Sequence, residues 1–263
     1  MMIAYFICNN TMCILFIAKN SHPDYPLIIA ANRDEYFARP TEAPHWWPED
    51  PQLFAGKDVQ AGGTWMGHNR QQRIAAITNL RRPDLMQAGA RSRGELVTRF
   101  LALQTDTTAE AIEEFSEFLI AQSEHYNPFN LLYGDAERLM VFNSVSRKPQ
   151  RLNDGIHSIS NGMLDEQWPK MQRGVNALGA YVRTMQTLES EQLMALLQDQ
   201  TLAAENELPD TGIPKPFEQV LSSIFIPPSE LTGGLYGTRS SSVLWQGKQQ
   251  DAQLEMVSCS YAP

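Results

Sequence analysis

The chain has 263 residues, 43% hydrophobic and 19% charged, an ordinary globular balance that can bury a core without help from disulfides or metals. Its three cysteines, Cys8, Cys13 and Cys259, show no C-x-x-C spacing, which argues against a disulfide framework or a zinc site and suits a reducing compartment. A net charge of −9 with no Lys/Arg cluster disfavours sequence-independent nucleic-acid binding and an anionic membrane surface.

The N-terminal stretch MMIAYFICNNTMCILFIAKN is apolar, but Asn9-Asn10-Thr11 divide it into runs too short to cross a bilayer. No positive charge precedes it and no A-x-A cleavage pattern follows, so neither a signal peptide nor a membrane helix is expected, and a cytoplasmic location is. Met12-Cys13 suggests a start at Met12, or removal of what precedes Cys13. Residues 1–12 are therefore expected to be an extension, and 13–263 a single domain. With Cys13 first, its own α-amine could act as base for its thiol.

Cys13–Ala18 and Leu27–Ala31 are apolar runs expected to form neighbouring buried strands. The second run stops at four polar residues, Asn32-Arg33-Asp34-Glu35, expected to end the strand as one wall of a polar site facing Cys13 on the neighbouring strand. Residues 38–60 are rich in Pro, Asp and Trp and predict an irregular segment. There, His45-Trp46-Trp47-Pro48 either line an apolar pocket or cap the core. Glycines bracket Gly62–Gly67, and Arg73–Thr78 predicts a strand ending at Asn79. Gly94–Leu103 predicts a helix. Thr107 with Glu110 forms a capping box for the next one, whose Ile112, Phe115 and Leu119 share a face. Strands return at Phe129–Tyr133, Arg138–Phe142 and Ile156–Ser160, the last ending at Asn161. Helices follow from Trp168 to Met185 and from Ser190. Residues 203–235 predict a long loop, and Ser240–Gln246 with Ala252–Cys259 a closing hairpin. Strands in hairpin-like sets with helices in pairs predict packed sheets with helices outside them, and no βαβ alternation is present.

Motifs for phosphate loops, nucleophile elbows, zinc proteases and dinucleotides are absent, and the five histidines fall at no metal-ligand spacing, so no metal or nucleotide cofactor is expected. What remains is a set of polar residues at the ends of apolar runs. Asn32-Arg33-Asp34, Asn79 and Asn161 end three strands, and Arg239 opens a fourth. With Cys13 they could converge into an amide-cleaving constellation: a thiolate nucleophile, an Arg–Asp pair, and asparagine amides donating to an oxyanion. The alternative is structural, with Asn and Asp accepting turn conformations and Arg33–Asp34 forming an ion pair.

Met12-Cys13-Ile14, Ala31-Asn32-Arg33-Asp34-Glu35, Gly62-Gly63-Thr64-Trp65-Met66-Gly67, Ala76-Ile77-Thr78-Asn79, Arg93-Gly94-Glu95-Leu96-Val97, Phe129-Asn130-Leu131, Ile159-Ser160-Asn161 and Tyr236-Gly237-Thr238-Arg239 together resemble the NRDE family, also called the transport and Golgi organisation family. The resemblance runs from Cys13 to about Cys259. It implies an α+β fold, the four-layer αββα sandwich of the N-terminal nucleophile hydrolases. Cys13, Arg33, Asp34, Asn79 and Asn161 are similar to the catalytic set of the choloylglycine hydrolase branch, with Arg239 in the place of a final-strand arginine. The order Asn-Arg-Asp departs from that branch, where the Arg precedes an Asn and the Asp follows later. The resemblance also implies haem trafficking, with haem as a cargo moved between donor and acceptor proteins, or acyl-CoA and lipid handling. Ligand contacts are then expected from Asn32, Glu35, Gly63, Thr64, Trp65 and Arg239, with Arg33 and Arg239 meeting carboxylates of the cargo. Carrier and Cys13 amidohydrolase stay open as alternatives.

Overall fold

A computed structural model describes residues 12–249 and 252–263, so the expected extension lies, apart from Met12, outside the described residues. In chain order the strands are β1 (Met12–Lys19), β2 (Leu27–Tyr36), β3 (Thr41–Trp47), β4 (Asp50–Asp58), β5 (Met66–Asn69), β6 (Ile74–Asn79), β7 (Phe129–Gly134), β8 (Leu139–Asn143), β9 (Lys148–Arg151), β10 (Gly155–Ile159), β11 (Tyr236–Gln246) and β12 (Leu254–Ser260). The helices of six residues or more are α1 (Gly94–Leu101), α2 (Thr108–Gln122), α3 (Pro169–Thr184), α4 (Ser190–Leu196) and α5 (Lys215–Val220).

The chain divides into two compact units. The first comprises residues up to 38, 81–84 and 154–263. Its sheet is antiparallel in the order β10-β1-β2-β11-β12. Alternation along β1 and β2 points Ile14, Phe16, Ala18, Ile28 and Ala30 to one face, where they form a core with Met171, Leu178 and Val182 of α3 and Leu193 of α4. The approach of α3 to the sheet is close because residue 174 is glycine: a Cβ there would overlap the Phe16 ring. The other face of these strands is buried too, since Leu15, Ile17, Leu27 and Ile29 are almost wholly inaccessible.

The second unit comprises 39–80 and 85–153. Its seven strands run antiparallel in sequential order, β3 to β9. Helices α1 and α2 cover one face, where Leu96, Phe100, Phe115 and Leu119 pack on Ala75, Ile77, Leu131 and Phe142. The capping box at Thr107 forms as expected: its hydroxyl accepts from the Glu110 N–H at 3.2 Å and Glu110 Oε2 accepts from the Thr107 N–H at 3.3 Å.

Two local expectations are corrected and one open alternative is divided. Residues 38–60 carry two strands, β3 and β4, despite their prolines; Pro44 lies in β3, the edge strand, where a missing N–H costs no ladder bond. The two tryptophans of β3 face opposite ways. Trp47 is buried in the core and its indole N–H donates to the Ala55 carbonyl at 2.9 Å, while Trp46 is exposed with Arg70 stacked 4.0 Å from its ring. Finally, Asn32–Glu35 do not end the strand. Strand β2 runs through them to Tyr36 because both its neighbours keep pairing, Met12 with Asp34 on β1 and Tyr236 with Tyr36 on β11.

Candidate functional site

Four polar residues inside a buried strand must find partners on both of its faces. Asn32 and Asp34 share the helix-facing side with Ile28 and Ala30; Arg33 and Glu35 share the other with Ala31.

On the helix side, Asn32 uses both amide hydrogens, donating to the Leu197 carbonyl at 2.8 Å and the Ile224 carbonyl at 2.9 Å. Its Oδ1 accepts from Ser241 at 2.6 Å. One side chain thus braces the end of α4, the segment after α5, and β11. Asp34 accepts from Thr238 Oγ1 at 2.6 Å, and that same oxygen accepts from the Ile226 N–H at 2.8 Å. A bulge makes this possible. In β11 the register to β2 shifts between Thr238 and Ser240, which leaves Arg239 as the extra residue. Thr238 and Ser241, three apart, therefore both reach the helix-side partners Asp34 and Asn32.

Lys170, in the first turn of α3, is 2% exposed and its ammonium donates to the Leu221 carbonyl at 3.0 Å. Arg81 pairs with Glu218, both buried, and the Arg81 guanidinium lies 5.2 Å from the Trp168 ring. Burial pushes the Asp34 carboxyl above the usual carboxylate range; Lys170, the Thr238 hydrogen bond and Arg33 pull it back. Burial pushes the Lys170 amine down, with Arg81 adding to the shift, while Asp34, Glu218 and Cys13 hold it up.

On the opposite side, Cys13 lies directly across from Arg33 in the β1–β2 register, so thiol and guanidinium share a face. Arg33 approaches Glu35 at 3.5 Å, and Glu35 Oε1 accepts from the Tyr36 N–H at 2.8 Å. The expected Arg33–Asp34 pairing is thus replaced by Arg33–Glu35, because consecutive strand residues point apart. Cys13 is half-buried by surface, yet the protein around its thiol pushes the pKa up to about 12; Asp34 adds to this, and Arg33 and the Asp34 backbone N–H oppose it. The Ser160 hydroxyl donates to the Cys13 carbonyl at 3.1 Å, with Asn161 Oδ1 a further acceptor at 3.3 Å, so Asn161 lies beside the thiol-bearing residue. Its own carbonyl accepts from the Arg81 N–H at 2.8 Å.

Of the residues singled out in the sequence, the first unit therefore gathers Cys13, Asn32, Arg33, Asp34, Glu35 and Asn161. Arg239 belongs to the same unit but turns its guanidinium to the Phe37 carbonyl and over the Phe37 ring at 5.7 Å. Asn79, Gly63, Thr64 and Trp65 belong to the second unit. Gly63 and Thr64 pass against the start of α1: a Cβ on Gly63 would stand 2.6 Å from the Gly94 carbonyl carbon, and the Thr64 N–H donates to the Gly94 oxygen at 3.3 Å. Trp65 packs on that unit's core, and Asn79 closes β6 opposite Phe129. The sequence reading missed Lys170, Thr238, Ser241 and the Arg81–Glu218 pair. Thr238 stood inside a quoted motif; the lysine carried no signal, since one Lys in a helix start is ordinary. Among the described residues no cluster suits a metal ion, and no helix is long and apolar enough to cross a membrane.

The sequence profile of the Transport and Golgi organisation 2 family matches residues 12–257. This chain belongs to that family. Among its Transport and Golgi organisation 2 relatives, the Bos taurus homologue is 32% identical over 248 residues, covering 89% of this chain and 88% of that protein. The Homo sapiens homologue is 32% identical over 215 residues, covering 77% and 76%. Among solved structures, a Caenorhabditis elegans N-acylethanolamine-hydrolyzing acid amidase orthologue superposes with a TM-score of 0.51 at 13% identity, over 88% of this chain and 92% of that one. At this identity the likeness is one of fold. It is the N-terminal nucleophile hydrolase fold expected from the sequence, here carried by a Transport and Golgi organisation 2 family member.

Proposed function

We propose that this chain holds and hands on a ligand instead of turning one over, and that the ligand is haem or a similarly flat, apolar carboxylate. The observation that carries this reading is the facing pair in the β1–β2 register: the buried Arg33 guanidinium stands opposite Cys13, whose thiol pKa burial pushes up, away from the nucleophilic thiolate. The arginine opposite it suits an anionic group better than it suits an uncharged amide. Family membership supports haem as the cargo to try first. Titration with haemin should give a saturable Soret change and onward transfer to an apo-acceptor protein; the absence of both refutes the carrier reading. Long-chain acyl-CoA competing with haemin would redirect the proposal to acyl-chain cargo.

One observation favours a second reading: Cys13 lies opposite Arg33 and beside Asn161. Were Cys13 the first residue of the mature chain, its α-amine would supply a base that the internal residue lacks. Cys13, Arg33, Asp34 and Asn161 then form the core of an amidohydrolase site on a fold shared with an amide-cleaving enzyme. Protein beginning at Cys13 should then be labelled there by an acylating thiol probe and lose turnover as Cys13→Ala. An unlabelled N-terminal Cys13 removes this reading.

A further inference from the structure

We propose that the Ser240 hydroxyl is a ligand contact: beside the Arg33 guanidinium it supplies the second donor of a carboxylate subsite, a role that rests on the reading of Arg33 as the residue meeting the anionic end of a cargo.

Three consecutive serines, Ser240-Ser241-Ser242, lie in β11, and two of them have partners within the chain. Ser241 donates to Asn32 Oδ1 at 2.6 Å, and Ser242 donates to Ser258 Oγ at 3.0 Å. Ser240 is 6% exposed, and among the described residues its Oγ is buried with no hydrogen-bond partner. Burying a hydroxyl without a partner costs free energy that alanine at the same place would avoid. Such a group calls for a partner from outside the chain.

Its position says which partner. The register sets Cys13 opposite Arg33, Arg33 opposite Ser240, and Ser240 opposite Ser260. Residues directly opposite on antiparallel strands share a face, with Cβ atoms about 5 Å apart. Thiol, guanidinium and hydroxyl therefore stand in one row, on the face away from the helices. Cys13 at one end of the row is half-buried and Ser260 at the other is exposed. The bulge decides what stands next to Arg33. Were β11 regular, Arg239 would follow Thr238 into the place opposite Arg33, and two like charges would face each other. Instead Arg239 turns to the Phe37 carbonyl, and a short neutral donor takes that place.

An arginine with a hydroxyl at its side suits a carboxylate: the guanidinium brings charge and N–H groups, the hydroxyl one further donor. Glu35 approaches the same guanidinium at 3.5 Å, longer than an ordinary hydrogen bond, and Ser240 gives it none. A ligand carboxylate thus competes with Glu35 for Arg33 and has the Ser240 hydroxyl to itself.

The test is equilibrium titration of the full chain with two carboxylate probes, haemin and laurate. Ser240→Ala should weaken both about ten-fold, the loss expected for one hydrogen bond to a charged group. Its melting temperature should be unchanged or raised, since no internal bond is lost. Ser242→Ala, which alters a partnered hydroxyl on the same face, should bind as the unmutated protein does. The ester-capped probes, haemin dimethyl ester and methyl laurate, should not distinguish Ser240→Ala from the unmutated protein. Equal carboxylate binding by Ser240→Ala and the unmutated protein overturns the subsite and leaves the carrier reading standing. An equal loss with the esters shows a packing effect and overturns it too. Laurate binding that depends on Ser240, with no saturation by haemin, keeps the subsite and refutes haem as the cargo. Saturation by neither carboxylate overturns both.

Discussion

The two faces of β2 treat the same strand differently. On the helix side, Asn32 is bonded to three segments and Asp34 to a hydroxyl that is itself fixed by backbone. On the other side, Arg33 faces a thiol whose pKa burial pushes up, with the Glu35 carboxylate at 3.5 Å. One face is a brace and the other carries the thiol, the guanidinium and a second carboxylate. A motif of four consecutive polar residues thus contains two jobs, interleaved by the period-2 geometry of a strand.

The comparison breaks most visibly at Asn32. Asn32→Ala leaves two buried carbonyls and a serine hydroxyl without their partner, and should cost about 3 kcal/mol or more of unfolding free energy in urea titrations. A loss below about 1 kcal/mol would mean that the brace is not one. Arg33→Met takes the ion-pair partner from the buried Glu35 carboxylate and should also destabilise, on the order of 3 kcal/mol, while changing the charge beside the thiol.

Next comes pH. Asp34 has its folded pKa raised by burial, so between about 4 and that raised value the folded state binds more protons than the unfolded one, and stability falls as pH rises through the window. Asp34→Asn should remove this fall. A histidine of the second unit works in the opposite sense. His68, buried between Trp46 and Phe54, has its pKa lowered to about 4. Between about 4 and 6.5 the unfolded state binds more protons there, so stability rises with pH by up to about 3 kcal/mol. Urea titrations across pH 4–8 in a His68→Phe background isolate the Asp34 slope; a slope that persists in Asp34→Asn, His68→Phe would show that another group carries it.

The smallest effect concerns the thiol. Peptide mass spectrometry after iodoacetamide treatment at pH 7 should find exposed Cys259 labelled well before Cys13. Arg33→Met removes a charge that lowers the Cys13 pKa and should slow its labelling a few-fold further. Faster labelling of Cys13 in that variant would place the arginine's influence elsewhere.

Much of the fold was legible in the sequence because the apolar runs Cys13–Ala18, Leu27–Ala31 and Arg73–Thr78 have strand length and the helix at Thr107 announces its cap. What was not legible depended on partners distant in sequence. Asn32–Glu35 read as a strand end because four polar residues stop the apolar run; only pairing to β1 and β11 keeps the strand going. Trp46 and Trp47 left pocket and core open, and alternation on an edge strand divided them. In the site, Cys13 and Arg33 were visible as residue types, and their facing register follows from two strands folding back on each other. Lys170 and Asp34 stand 136 residues apart in sequence, and no spacing rule reports that both are buried in one unit.

The extra residue in β11 has a consequence for how the chain tolerates change. An ordinary strand is a two-beat rhythm, and position 239 inserts one silent beat. Thr238 and Ser241 fall on the same side only because of it. Whatever cation stands at 239, the position also counts as a spacer: losing it would leave every neighbour chemically intact and still turn the Thr238 hydroxyl away from Asp34. In this strand the number of residues is itself part of the site, alongside their identity.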